Sequence, residues 1–270
     1  MTGERSAALW LYARSMQTPT DPRHPSPTPP AAGLYPHVSE WPFETLRTIT
    51  RATLLLKIYF IDPLLLALIL GGILGAATSG TFNLSSGVMA TVYGLSFVLG
   101  IVATGVMTVG TWRVSAPMVD EAHAAPGGPR VVLRKLMIAY VVVYGVSLVA
   151  SMVQLAVQGV PIAAPSVRLT TLDLVVSGIG LIALAVAAAW YGVLAWHLSH
   201  LAVSIDNQKA QRRATTAIWL LPVLSTVGIL ACGLGPLIAL VLAYNLLTVF
   251  RKALVIEVEA LRPDSTPGFA

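Results

Sequence analysis

At 270 residues, 56% of them hydrophobic and 11% charged, the chain departs from the soluble balance of about 45–50% apolar and about 25% charged. That composition predicts an integral membrane protein built as a single helical bundle, with no length left for a second catalytic domain. The formal charge of +5 does not point to nucleic acid, because the basic residues stand in short clusters beside apolar runs, where orientation in a membrane accounts for them.

The one cysteine, Cys232, excludes an intramolecular disulfide and leaves too few thiols for a zinc or iron-sulfur site. No cleavable leader is expected, since the early apolar patch ALWLYA is six residues long, short of the about 7–15 such a segment needs. Residues 17–36 carry seven prolines and almost no bulky apolar side chains. They predict a disordered or polyproline-like tail, taken as residues 1–38, that serves as a linker rather than as a ligand for another domain.

From Ser39 the pattern changes. Ser39, Glu40, Pro42 and Glu44 make a helix start, with a capping side chain, a proline in the first turn and acidic residues at the positive end of the dipole. That helix runs through Arg47, Arg51 and Lys57 into a first span at about 58–78, which contains Asp62-Pro63. A second span is predicted at 88–111, reached through an uncharged loop with a glycosylation-like Asn83-Leu84-Ser85. The loop that follows holds Pro126-Gly127-Gly128-Pro129, clear turn chemistry. The third span, 136–158, and the fourth, 172–196, come next; the fourth closes on Trp190, Tyr191 and Trp196, rings suited to headgroup depth.

Residues 217–250 form an uncharged run broken by Gly233-Leu234-Gly235-Pro236. As one straight helix its 34 residues would measure about 51 Å, against a hydrocarbon core of about 30 Å. Split at the glycines it becomes two spans, 217–232 and 236–250, and charge favours the split. Six spans put thirteen basic residues on one side (Arg47, Arg51, Lys57; Arg113, Arg130, Arg134, Lys135; Lys209, Arg212, Arg213; Arg251, Lys252, Arg262) and Arg168 alone on the other. The fold class predicted is therefore all-α, an integral membrane helical bundle over residues 39–262, with both termini in the cytoplasm and a disordered tail at 263–270. A single long, kinked fifth helix is the alternative. After Phe250 the helix is expected to continue as an amphipathic stretch with Leu254, Val258 and Leu261 on one side, ending at Pro263.

Three residues stand out as site candidates. Asp62 is an acidic group inside a span, where an ionisable side chain is costly. It is read as a structural ion pair or polar contact near the interface, with a proton or cation role as the alternative. His197 and His200, at i and i+3, share a helix face. A metal site would need further ligands, and only Glu121, His123 or Asp206 stand in segments on the same side. Interfacial histidines beside a tryptophan anchor is the reading taken. Gly71, Gly75, Gly94, Gly100, Gly105, Gly110, Gly178 and Gly180 are read as small residues that let helices approach. Gln154, Asn245, Ser225 and Thr226 are mid-span polar groups suited to interhelical hydrogen bonds. No phosphate-binding loop and no nucleophile with an activating base is present, so catalytic, cofactor-binding and metal roles are all assigned to none.

The segment HLSHLAVSIDNQKAQRRATTAIWLL, the glycine-broken hairpin after it and NLLTVFRKAL resemble a loose group of uncharacterised bacterial multi-pass membrane proteins. The recurring elements are Leu201-Ala202 at a helix end, the basic segment Lys209 to Arg213 and the closing hairpin 217–250. The resemblance covers about the last 75 residues. It implies a multi-pass protein of a bacterial cytoplasmic membrane and carries neither site nor activity. The function expected by elimination is a non-enzymatic subunit or scaffold, without cofactor or nucleic acid, whose partners are membrane lipid and other membrane proteins or a second copy. A small solute or ion transporter or channel is the alternative, with Asp62 as its ionisable group. A membrane metalloenzyme using His197 and His200 comes third.

Overall fold

In a computed structural model of the chain, the described residues are 35, 37–38, 41–78, 86–116, 128–158, 170–230 and 234–261. Side chains at 62–90, 93, 158 and 229–230 lie outside that description. Six α-helices and no strand occur among these residues: α1 Phe43–Thr78, α2 Ser86–Val114, α3 Pro129–Gln158, α4 Thr171–Ser204, α5 Gln208–Leu230 and α6 Gly235–Ala260. Each helix packs on its neighbours in the chain and α1 also packs on α6, so the six close into a ring whose thinnest seam lies between α2 and α3.

The run 217–250 is resolved as two helices rather than one kinked helix, with α5 ending at Leu230 and α6 beginning at Gly235. Pro236 sits in the first turn of α6, where its missing N–H would have had no helical partner anyway. The two helices touch through their glycines. A Cβ added at Gly228 would run into the Cα of Gly235, and one at Gly235 into Gly228 and the carbonyl of Leu224.

The surface, like the core, is rich in large apolar side chains. Val142, Val149, Val157, Leu174, Leu181 and Ile182 are all more than half exposed, an apolar outer surface that fits lipid rather than water. Among the described residues, four helical stretches are long and apolar enough to cross a membrane: Gly94–Val114, Pro129–Val157, Thr171–Ser204 and Gly235–Ala260. The chain is a membrane-type helical bundle.

Among the described residues of α3 and α4, burial is concentrated at one end. In α4 every buried residue falls between Ala188 and Ser204, and in α3 the fully buried residues are Leu133 and Met137, both near its start. They meet Leu46, Ile49, Leu56 and Phe60 of α1, Met107 and Val114 of α2, and Leu246, Phe250 and Leu254 of α6. This is the end at which the basic clusters stand. The opposite halves of α3 and α4 are joined by a polar clasp. The Gln154 amide donates to Asp173 Oδ1 at 2.8 Å, and Asp173 also completes a capping box with Thr170 at the start of α4.

Two helices are longer than the spans expected of them. α1 has 36 residues and α4 has 34, about 54 and 51 Å at 1.5 Å per residue. Both therefore overrun a hydrocarbon layer of about 30 Å. Tyr35 and Val38, which composition assigns to the tail, belong to the bundle unit, and Val38 and Trp41 are each 4% exposed.

The turn from α4 to α5 is short because one residue adopts a left-handed conformation. Asp206 has φ 48. The Asp206 N–H donates to the Val203 carbonyl and the Asn207 N–H to the Ala202 carbonyl, each at 3.0 Å, the two bonds of a Schellman ending. Asn207 then starts α5, its side-chain oxygen accepting from the Ala210 N–H at 2.9 Å.

Candidate functional site

The buried end of the bundle is held by a polar clasp centred on His197. The last carbonyls of a helix have no partner within it, and α2 ends inside the protein, with Val114 and Ser115 fully buried. Two neighbouring helices supply the missing donors. His197 of α4 places Nε2 3.1 Å from the Val114 carbonyl oxygen. Arg134 of α3 donates from Nη2 to the Ser115 carbonyl at 2.8 Å and from Nε to Ser115 Oγ at 3.0 Å. The same guanidinium lies over the Trp112 ring, 4.6 Å from its centroid, so its charge is held by a π face as well as by oxygens.

The geometry decides the tautomer of His197. A carbonyl can only accept, so Nε2 carries the proton, and Nδ1 of the neutral ring is left as an acceptor. The Tyr35 hydroxyl stands 2.8 Å from Nδ1 and donates to it. Burial pushes the Tyr35 phenol well up, outweighing the Arg130 charge that pulls it down, so the donor keeps its proton. His200, one turn on, presents its ring edge-on to the same Tyr35, with centroids 6.1 Å apart, and to Trp196 at 6.0 Å.

His197 is enclosed by the bundle. The residue is fully buried, and both its ring nitrogens are engaged, leaving no lone pair for a metal or for proton transfer. His200 is part-exposed beside Trp196. Among the described residues no group of three or more His, Cys, Asp or Glu is placed to hold a metal ion. Asp206 serves the helix turn instead, while Glu121 and His123 lie outside the described residues. Asp62 lies on α1, with its side chain outside the described set. The structure therefore brings His197 and His200 together around Tyr35.

A second polar cluster runs through the helices without any charge. Tyr59 of α1, buried, lies near Tyr191 of α4 and Tyr140 of α3. Thr104 of α2, whose hydroxyl donates to the Gly100 carbonyl, lies near Tyr140 and Tyr144. Tyr140 and Tyr144 stack with their rings 14° from parallel. Gly100 leaves the room in which the Tyr144 hydroxyl sits. Beside this chain the Trp190 indole N–H is buried without a partner, flanked by Tyr59 and Phe60 with centroids 6.1 and 6.3 Å away.

Pro222 marks a third close approach. Proline lacks an N–H, so the carbonyl four residues earlier, at Ile218, loses its helical donor. α4 passes at Gly192, where an added Cβ would lie 3.0 Å from Pro222 Cγ and 3.1 Å from the Ile218 oxygen.

Sequence reasoning missed Tyr35, Arg134, Gly192, Gly228 and the tyrosine chain. The i, i+4 spacing of Tyr140 and Tyr144 placed two hydroxyls on one face of an apolar helix and was the one local signal of a polar seam. Against this geometry, no protein family, no curated protein and no solved structure matches the chain.

Proposed function

We propose that the chain is a six-span protein of a bacterial cytoplasmic membrane, both termini inside, that acts without catalysis as a subunit or scaffold for another membrane protein. The observation that carries this is the outer half of α3. From Ser151 to Val157 every described side chain except Gln154 is exposed, all round the helix. Lipid can cover such a surface, and so can a helix of a second membrane protein packed against it. A shallow apolar hollow of about 500 Å3 surrounds Gly145, walled by Val141, Val142, Val146 and Val149. Glycine flanked by valines lets a second helix come close. The clasp at the other end supports the same reading, because His197, Tyr35 and Arg134 spend their polar groups on holding chain ends together.

Mild detergent extraction tests it. The chain is expected to comigrate with another membrane protein, and a Val146→Cys variant in a Cys232→Ser background to crosslink to it. A solitary monodisperse chain that forms no crosslink would sink the proposal. Topology is checked separately by Cys232, which six spans place on the outer face: labelling only from the cytoplasmic side would reverse the assignment.

A second reading is favoured by the hydroxyl chain from Tyr191 through Tyr59 and Tyr140 to Thr104. Polar groups strung through four helices can line a route for a small polar solute or ion. Transport by the reconstituted protein that falls in Tyr59→Phe and Asp62→Asn variants would support this reading; no flux above empty liposomes would remove it.

A further inference from the structure

We infer that the groove between α5 and α6 binds one anionic phospholipid. It encloses about 670 Å3, within the range of small-molecule sites. Its lining changes in order along its length: Arg212 and Arg213 first, Thr216 about one turn on, and Leu220 another turn beyond, faced from α6 by Leu242 and Asn245.

That order is the order of a phospholipid. Paired guanidiniums match a phosphate, which they grip with two parallel hydrogen bonds each. Among the described residues, no acidic side chain lines the groove to neutralise them. A headgroup that also carries an ammonium would be repelled by the same two charges, so the fit is to a net-negative lipid. Leu220 and Leu242 offer an acyl chain an apolar wall.

Asn245 is the second observation. It is exposed, although it lies within the apolar stretch LVLAYNLLTVF of α6. An amide turned toward hydrocarbon costs several kcal/mol unless it finds an acceptor. The ester carbonyls of a lipid lie next below its phosphate, and the two amide protons of Asn245 can reach such oxygens. A water-soluble phosphate compound would satisfy the arginines and leave Asn245 and the leucines unused, so the occupant belongs to the leaflet on the basic side of the bundle.

The test uses the full chain in nanodiscs of phosphatidylcholine with a minor share of phosphatidylglycerol, stripped stepwise with detergent and weighed by native mass spectrometry. One phosphatidylglycerol per chain is expected to outlast all phosphatidylcholine. The Arg212→Gln/Arg213→Gln double variant should lose it roughly 10- to 30-fold more readily. Asn245→Leu should lose it several-fold more readily, and Arg47→Gln/Arg51→Gln should match the parent. Thr216→Trp fills the groove with the charges intact and should also release the lipid, which keeps the test alive if the double variant does not accumulate. Equal retention of both lipids, or retention unchanged in Thr216→Trp, overturns the assignment. Displacement by water-soluble glycerol phosphate would move it to a soluble anion and equally overturn it.

Discussion

Gly228 and Gly235 meet backbone to backbone where α5 gives way to α6. Main-chain atoms cannot rotate aside as a side chain does, so a single methyl group at either position must push the helices apart. Gly228→Ala and Gly235→Ala are each expected to cost about 1–3 kcal/mol, the usual range for overpacking. Thermal unfolding in detergent would show this as a lower midpoint; a midpoint equal to that of the parent would mean that the hairpin opens freely.

Other glycines are predicted to behave in the opposite way. Gly105 and Gly178 are helical, and an added Cβ at either would meet nothing within 4 Å. Removing the backbone freedom of a mid-helix glycine is worth about 0.5–1 kcal/mol. Gly105→Ala and Gly178→Ala should therefore hold or raise the midpoint in the same assay, and a clear fall would reveal a contact that the free chain does not make.

Tyr35→Phe removes the donor to Nδ1 of His197 while keeping the ring. It strands a buried acceptor, at an expected cost of about 1–3 kcal/mol. In a His197→Phe background the same substitution should cost almost nothing, because the partner is gone. Additive losses in the double variant would contradict the hydrogen bond as the source of the effect.

Asp206 holds a left-handed conformation that costs a side-chain-bearing residue roughly 1–2 kcal/mol. Glycine adopts it freely. Asp206→Gly is expected to stabilise the protein by up to about 1 kcal/mol and Asp206→Val to destabilise it, a ranking that equilibrium unfolding in urea can check. The reverse ranking would mean that the carboxylate does more than turn the chain.

The helices were legible where arithmetic applies. A run of 34 uncharged residues is too long for one crossing, and glycine with proline at 233–236 marks where it breaks. Helix length was less legible. Beyond the hydrocarbon a helix no longer needs apolar residues, so hydropathy stops reporting where α4 continues, whereas the residues at 39–44 marked the start of α1 well ahead of its span. The state of His197 was not legible at all. Its partners Val114 and Tyr35 stand 83 and 162 residues away, and i, i+3 spacing says only that two rings share a face. The glycines show the same limit: composition groups Gly105 with Gly110, but only at Gly110 would a Cβ press on Leu56, 3.0 Å away.

The docking of Tyr35 also sets the order in which the chain yields to a pull from its N-terminal side. Load arriving along the residues ahead of it falls first on Tyr35, whose hydroxyl donates to His197 Nδ1 and whose carbonyl accepts from Ser204 Oγ, and through the His197 ring on the end of α2. Val38 and Trp41, each seated in the core, take the strain next, and only then does α1 begin to move. Tension at the N-terminal side is thus expected to reach the ring of helices only after these contacts give way.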